Sequence, residues 1–145
     1  MLLLLFFFML KFKKKAFFYL LSIIFAVVAA DFVASGLMKD FFKRLRPSHE
    51  PNLKNLVHIL NNYEGGTYGM ASSHAANSFA FATIIWLILK GKPKALILLF
   101  LWAIIVSYSR IYLGVHYPAD VLVGAVIGIL TAYLSKNILN IYLKS

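Results

Sequence analysis

The chain has 145 residues, which is the size of a single domain. Hydrophobic residues make up 61% of it and charged residues 14%, whereas soluble domains have about 45–50% and about 25%. A domain this small cannot bury so much apolar surface, so the composition excludes an ordinary soluble enzyme, and the high hydrophobicity excludes a disordered chain. The absence of cysteine excludes disulfides, a cysteine-ligated zinc site and thiol catalysis. We therefore predict a membrane protein that forms one domain, residues 1–145.

The net charge of the chain indicates its partners. Fifteen Lys and Arg against five Asp and Glu give a formal charge of +10. In so apolar a chain this excess favours anionic lipid headgroups over nucleic acid. We expect membrane lipids as partners, no nucleic acid, and no obligate protein partner.

The chain opens with an apolar segment, Met1–Leu10. Ten helical residues rise only about 15 Å, which is too short to cross a bilayer. We interpret the segment as an N-terminal stub: half of a hairpin, an interfacial segment or the remains of a truncated helix. A signal peptide is the weaker alternative, with Lys13–Lys15 as its basic region and Val28–Ala30 as the cleavage site, because the apolar stretch continues past Ala30.

Four further apolar stretches are candidates for crossing the membrane. The first has 23 residues and a single charge, Asp31, and about 20 residues suffice to cross. The other three have 15, 14 and 15 residues, and each adjoins a polar motif into which its helix can continue. We predict an all-α, polytopic transmembrane helix bundle with four spanning helices and the N-terminal stub. In order, the stretches are Ala16–Met38, Ala75–Leu89, Ala95–Tyr108 and Val121–Ser135.

The basic residues predict the orientation of these helices. If all four helices cross, nine lysines lie on one side, which the positive-inside rule makes cytoplasmic: Lys11, Lys13, Lys14, Lys15, Lys90, Lys92, Lys94, Lys136 and Lys144. The other six basic residues then lie outside, against the rule: Lys39, Lys43, Arg44, Arg46, Lys54 and Arg110. Binding of a multiply charged anion would explain this exception. For Lys43, Arg44 and Lys54, contact with lipid phosphates is the simpler interpretation.

Three polar clusters fall at the outer ends of these helices. Antiparallel helices with short inner connections would bring all three to one face of the membrane. The clusters are Lys39-x6-Arg46-Pro47 after the first stretch, Ala71-Ser72-Ser73-His74 before the second, and Ser109-Arg110-x5-His116-x3-Asp120 between the third and fourth.

The residue types in these clusters suit phosphoryl transfer without a metal. Arginine forks and a lysine can neutralise phosphate oxygens, and no carboxylate pair is present to bind magnesium. His116 and Asp120 are four residues apart, so the carboxylate can orient the ring and leave one nitrogen free to attack phosphorus. His74 can protonate the leaving oxygen and later activate water. Taken singly, Lys39 could be a helix-end anchor, Arg46-Pro47 a helix stop and Asp120 an N-cap.

The spacing of the clusters resembles the type 2 phosphatidic acid phosphatase (PAP2) superfamily, whose motifs read K-x6-R-P, P-S-G-H and S-R-x5-H-x3-D. The first and third motifs match at every defined position, and the resemblance covers roughly residues 32–128. It implies an integral membrane lipid phosphatase that needs neither metal nor cofactor. It also implies a phosphohistidine on His116, held by Asp120, with His74 as general acid. The phosphate would be bound by Lys39, Arg46, Arg110, Ser72 and the Ser73 amide.

The chain departs from the family pattern in its second motif and in its number of helices. Ala71 replaces proline, and Ser73 replaces glycine, which would strain the backbone by about 1–2 kcal/mol if that position needs a positive φ. Six helices are usual in the family, whereas four are clear here. Either this is a minimal member or an upstream segment is missing.

Several functions remain open at this stage. Undecaprenyl diphosphate is our first expectation for the substrate, with lipid A or phosphatidylglycerol phosphate as the alternative, and residues 62–69 are the expected specificity loop. We expect a multi-pass protein of the bacterial inner (cell) membrane, with the site facing the periplasm or the outside. From another class, a non-catalytic protein could bind a lipid phosphate in the same cationic pocket, although binding alone requires no oriented imidazole. Soluble vanadium haloperoxidases share the motifs, but the long uncharged stretches argue against them.

Overall fold

Helices account for most of the chain in a computed structural model, which describes residues 12, 15–60 and 62–144. A π-helix, Phe32–Met38, joins the first two α-helices, and a 3₁₀ turn, Lys94–Leu96, leads into the fourth. Within the described ranges the only β pairing is an isolated bridge between Leu45 and Tyr68, so the all-α prediction is confirmed. The segment Met1–Leu10 lies outside the described residues. The α-helices are α1 (Ala16–Asp31), α2 (Lys39–Phe42), α3 (Ser73–Ile88), α4 (Ile97–Tyr112) and α5 (Pro118–Lys144).

Three continuous helical segments are long and apolar enough to cross a membrane. They are Ala16–Phe42, Lys94–Tyr112 and Pro118–Leu143, with 27, 19 and 26 residues. Lys94–Tyr112 and Pro118–Leu143 continue into the adjoining polar motifs, as predicted, and Pro118–Leu143 also extends past Ser135 at its other end. The remaining apolar helix, α3, has 16 residues and rises about 24 Å, less than the roughly 30 Å of a bilayer core. Membrane-spanning helices are therefore present, and a count of four crossings stays a prediction.

Helix α3 lies at the centre of the bundle and packs against α1, α4 and, most extensively, α5. Gly124 and Gly128 make the closest contact between α3 and α5. A Cβ atom at Gly124 would overlap the carbonyl oxygen of Ser72, and one at Gly128 would overlap that of Ala76. The G-x-x-x-G pattern therefore serves packing within the bundle. It also brings the beginning of α3 next to the first turns of α5.

The interior differs between the two ends of the bundle. One end is filled by large side chains, among them Ile84, Ile85 and Leu139. The other end is filled by alanines, which allow the helix backbones to approach closely: Ala30, Ala34, Ala71, Ala76 and Ala80. The polar motifs lie at the alanine end. Tight packing there holds the motif-bearing helix ends in fixed relative positions.

The connection between α2 and α3 is an irregular loop held by backbone hydrogen bonds. Arg46 N–H donates to Thr67 O at 3.1 Å, Gly69 N–H to Arg44 O at 2.9 Å, and Ser48 N–H to Gly114 O at 3.0 Å. Residues 51–56 form successive turns, whereas the sequence pattern suggested a short amphipathic helix at Asn52–Leu60. Such a short, largely exposed segment buries too little apolar surface to offset the cost of helix nucleation.

Candidate active site

All three predicted motifs meet at the alanine end of the bundle. Lys39 begins α2, His74 lies in the first turn of α3, and His116 and Asp120 flank the beginning of α5. The ring of His74 interacts electrostatically with Arg110, His116, Lys39 and Arg46. The two histidines and the predicted phosphate-binding cations therefore belong to one site.

Lysines mark the opposite end of the bundle. Lys136 of α5 interacts electrostatically with Lys90, which follows α3. It also lies over the ring of Tyr19, near the beginning of α1, at 5.9 Å from the ring centroid. Lys90 and Lys136, two of the lysines expected on the cytoplasmic side, thus share one end, remote from His74 and His116.

Asp120 holds the ring of His116 in the interior of the site. The carboxyl group is fully buried, and its Oδ2 accepts a hydrogen bond of 2.8 Å from the backbone N–H of Tyr117. The same Oδ2 lies 3.5 Å from Nδ1 of His116, whose residue is only 3% exposed. A proton on Nδ1 therefore faces the carboxylate, and Nε2 keeps its lone pair. This is the arrangement that a histidine nucleophile requires.

The surroundings of His116 favour its neutral form. Burial lowers the pKa of the ring below its ordinary value of 6.5, and the nearby charges of Arg46 and Lys39 act in the same direction. Asp120 opposes this shift because its carboxylate lies 3.5 Å from Nδ1, but burial has the larger effect. At neutral pH the ring is uncharged, and Nε2 can act as a nucleophile.

Arg46 occupies the position in front of Nε2. Its Nη1 donates to the backbone oxygen of Val115 at 3.2 Å and lies 3.3 Å from Nε2 of His116, while its Nε donates to Tyr68 O at 3.1 Å. Burial lowers the pKa of Arg46, yet a guanidinium remains protonated in proteins. The charged guanidinium of Arg46 therefore lies where a phosphoryl group would meet Nε2 of His116.

Glycines in the α2–α3 loop make room for Arg46. A Cβ atom at Gly65, which has φ +69°, would lie 2.8 Å from Nη1 of Arg46, and one at Gly69 would lie 3.1 Å from its Cγ. These glycines belong to the segment that we expected to determine specificity. In the structure, this part of the loop encloses the arginine.

Arg44 is a residue of the candidate site that sequence reasoning missed. We interpreted it as a surface cation for lipid phosphates, but its Nη2 forms an ion pair with Oδ1 of buried Asp120. Its guanidinium carbon also lies 4.7 Å from the ring centroid of Tyr117. The spacing of two residues from Arg46 was the only available signal, and by itself it does not distinguish a site residue from a surface residue.

The beginning of α3 explains the altered second motif. Ser72 is the N-cap: its Oγ accepts from Ala75 N–H at 3.5 Å, and its own N–H donates to Asp120 O at 3.0 Å. Ser73 is the first helical residue and is not among the described residues with positive φ, so serine fits there without the strain considered above. Ala71 is fully buried among other alanines. Ser72 thus has a capping role, and the hydroxyl of Ser73 faces Lys39.

The π-helix and Lys39 connect α1 to the beginning of α3. Lys39 Nζ donates to Ser73 Oγ at 3.1 Å and to Ser35 Oγ at 3.4 Å, and the two hydroxyls lie 2.5 Å apart. Ser35 belongs to the π-helix, a type of segment that often occurs at functional sites. The ammonium group of Lys39 is therefore held beside the first turn of α3, where unpaired helical N–H groups favour an anion.

His74 and Arg110 complete the site from the other side of α3. The side chain of His74 is exposed and lines a cavity of about 590 Å³ between α1, α3 and α4. Arg110, at the end of α4, donates from Nε to Ser109 Oγ at 3.1 Å. Among the described residues, no three His, Asp or Glu side chains converge in a way that could hold a metal ion. Independence from metal and cofactor stays a prediction.

Comparison with known proteins identifies the family. Residues 15–142 match the PAP2 superfamily. The chain is 42% identical over 108 residues to a lipid A 4'-phosphatase of Bacteroides thetaiotaomicron and 32% identical over 114 residues to one of Porphyromonas gingivalis. These alignments cover 74% and 77% of this chain. The crystal structure of Aquifex aeolicus LpxE superposes with a TM-score of 0.68 and 30% identity, covering 91% of this chain and 73% of that one.

A helical membrane protein with this site and this similarity is a member of the PAP2 superfamily, and the resemblance noted in the motifs is confirmed. The chain spans about half the length of the two curated lipid A 4'-phosphatases, 48% and 47%.

Proposed function

We propose that the chain hydrolyses a lipid phosphate without a metal, through a phosphohistidine on His116. The observation that carries this proposal is the buried His116, whose Nδ1 faces Asp120 at 3.5 Å and whose Nε2 faces Arg46 at 3.3 Å. A cationic pocket that only bound a headgroup would need no ring oriented by a buried carboxylate. This argues against the non-catalytic alternative.

In the first step, Nε2 of His116 attacks phosphorus. The bond between phosphorus and the leaving oxygen breaks, and protonated His74 donates its proton to that oxygen. Arg46 and Arg110 offer guanidinium donors to the equatorial oxygens, while Lys39 and the free N–H groups at the beginning of α3 add positive charge. As His116 becomes positively charged, Asp120 stabilises it.

In the second step, water releases the phosphate. Neutral His74 takes a proton from the attacking water, the oxygen forms a bond to phosphorus, and the bond between phosphorus and Nε2 breaks. His116 returns to its neutral form and phosphate leaves. The charges of the cationic groups stabilise the transition state of both steps.

For the substrate, we propose a lipid A-type phosphate. Relatives named as lipid A 4'-phosphatases align over about three quarters of the chain, at 42% and 32% identity. Undecaprenyl diphosphate, our first expectation from the sequence, has no comparable support. Lipid A, our alternative expectation, is therefore the better supported substrate.

We also propose that the site faces the periplasm or the outside of a bacterial inner (cell) membrane. The cations of the site lie at one end of the bundle, and Lys90 and Lys136 lie at the other. The positive-inside rule makes the lysine end cytoplasmic. A lipid phosphate in the outer leaflet would then reach the site directly.

Phosphate release from a panel of lipid phosphates and diphosphates tests the reaction. We expect the protein in detergent to release phosphate with chelator present, and we expect His116→Ala to abolish release. His58→Ala is a matched control, because the ring of His58 contacts that of Tyr112, at 5.2 Å between centroids, and has no role in the mechanism. Loss of turnover on chelation, or full turnover in His116→Ala, would contradict the mechanism. Saturable binding without turnover would favour the non-catalytic alternative.

A further inference from the structure

The cavity beside His74 has two chemically different walls. Its polar wall is formed by Asp31, Ser73, His74, Asn77 and Ser78, and its apolar wall by Val27, Phe81, Trp102 and Val106. At about 590 Å³ it has the size of a small-molecule site. A carboxyl group and a carboxamide at this depth are unusual, because polar side chains within membrane helices are costly and tend to be functional.

The polar wall offers hydrogen-bond acceptors without matching donors. Oδ1 of Asp31 accepts from Nδ2 of Asn77 at 3.0 Å and from Ser35 Oγ at 3.5 Å. No described residue donates to Oδ2 of Asp31, and Oδ1 of Asn77 is buried without a donor in the same part of the chain. A buried acceptor without a partner requires an explanation, and a ligand that supplies donors is one.

The position of this wall relates it to the reaction. Asn77 lies one turn after His74 on α3, and Asp31 precedes Lys39 by eight residues, about 12 Å along its helix. Ser73 Oγ connects the two regions, since it contacts both Lys39 and Ser35. His74, the proposed proton donor to the leaving oxygen, itself lines the cavity. A group that leaves with that oxygen would therefore lie next to this cavity.

We propose that the cavity binds the leaving group of the substrate and that Asp31, positioned by Asn77, accepts hydrogen bonds from its hydroxyl or amide N–H groups. This rests on the proposed function and deepens it. The ligand class is an uncharged polyol or an N-acylated amino sugar, with an attached acyl chain against Trp102 and Phe81. A diphosphate would leave as a phosphate monoester, whose oxygens are acceptors like those of Asp31, so the wall selects against it.

The test compares two monophosphates with equal acyl chains: one on an N-acylated glucosamine and one on a simple alkyl alcohol. In Asp31→Ala and Asp31→Asn we expect kcat/KM for the amino-sugar phosphate to fall about 10- to 100-fold. For the alkyl phosphate, which carries no donors, we expect a change of less than about threefold by the same reasoning. Asp40→Asn is the matched control, because Asp40 is an exposed carboxylate in the same continuous helix and should leave both values unchanged.

The outcomes distinguish the role of Asp31 in binding the leaving group from the proposed hydrolysis itself. Hydrolysis of the alkyl phosphate also shows that a variant is folded. If Asp31→Ala loses both activities, the comparison is made with the isosteric Asp31→Asn instead. Equal losses on both substrates in Asp31→Asn would make Asp31 structural and overturn the inference, as would no loss on either. Failure of the unmodified protein to hydrolyse both compounds would instead overturn the proposed function.

Discussion

The carboxylate of Asp120 contacts three groups in the interior of the site. Arg44 binds Oδ1, and the Tyr117 N–H and the Nδ1 edge of His116 face Oδ2. A carboxyl group with no exposed surface needs such partners, because an unpaired buried charge is strongly unfavourable. Asp120 is therefore immobilised, and the His116 ring is oriented with it.

Arg44 should act as a positioning residue for this carboxylate. In Arg44→Gln we expect kcat to fall about tenfold with little change in KM. Removing one partner of a buried ion pair costs several kcal/mol, but the partial exposure of Arg44 reduces the expected cost here to about 1–2 kcal/mol. Without the competing cation, Asp120 would act on His116 alone and raise the pKa of its ring. The acid limb of the kcat/KM profile should then move to higher pH.

Lys43→Gln is the control for this prediction, because Lys43 is an exposed neighbouring cation. It should leave both the rate and the profile unchanged. An Arg44→Gln protein with a normal rate and an unshifted acid limb would show that Arg44 has no influence on Asp120 during the reaction.

The depressed pKa of His116 predicts the pH dependence of the unmodified protein. Only the neutral ring attacks phosphorus, so activity is absent below the pKa of the ring and appears as pH rises through it. Because burial lowers that pKa, the acid limb of kcat/KM should be centred below pH 6.5, the ordinary value for histidine. An aryl phosphate with a low second pKa keeps ionisation of the substrate out of this range. An acid limb centred above 6.5 would contradict the geometry.

At the residue scale, sequence reasoning could place the residues of the site but not all of their partners. The i, i+4 spacing of His116 and Asp120 predicts their pairing, and the structure shows it at 3.5 Å. The hydrogen bond of 3.0 Å from Asn77 to Asp31 joins residues 46 positions apart, and no local spacing predicts it. The ion pair of Arg44 joins residues 76 positions apart, and its formation depends on how the loop folds back.

The contact between α3 and α5 gives a prediction at the scale of elements. Gly128→Ala would bring a Cβ onto the carbonyl oxygen of Ala76 and to 2.8 Å from Ala80 N, so the helices must separate. We expect a loss of about 1–3 kcal/mol of stability, measured as a lower Tm in detergent, because overpacking of a tight contact has that cost. Gly36→Ala is the control, since its Cβ would meet only the Phe32 ring at 3.6 Å. Equal Tm values for the two variants would exclude this contact as a stabilising one.

The elements themselves differ in how far sequence predicts them. Among the described residues, hydropathy located each apolar helix, because membrane helices need long apolar stretches. The π-helix at Phe32–Met38 was not predictable, since an i→i+5 pattern reflects contacts such as that of Ser35 with Ser73. Apolar spacing at Asn52–Leu60 is compatible with a short helix, but residues 51–56 form turns, because apolar spacing alone does not reveal low burial.

At the scale of the whole molecule, orientation can be measured by labelling single cysteines. The chain has no cysteine, and both Lys54 and Lys92 are exposed. We expect a membrane-impermeant maleimide to label Lys54→Cys from outside and to label Lys92→Cys only after the membrane is opened, because the positive-inside rule places Lys92 in the cytoplasm. The opposite pattern would reverse the proposed topology.

The shortness of α3 has a consequence for how a substrate meets the site. As the predicted fourth crossing, its 16 residues would leave about 6 Å of a typical hydrocarbon layer unmatched. Hydrophobic mismatch of this kind is relieved by thinning of the surrounding lipid or by sinking of the helix. His74 lies in the first turn of this helix, so either adjustment brings the imidazole down to the level of the headgroups. In the proposed reaction, a phosphorylated lipid would then present its phosphate by lateral diffusion while its chains stay within the leaflet.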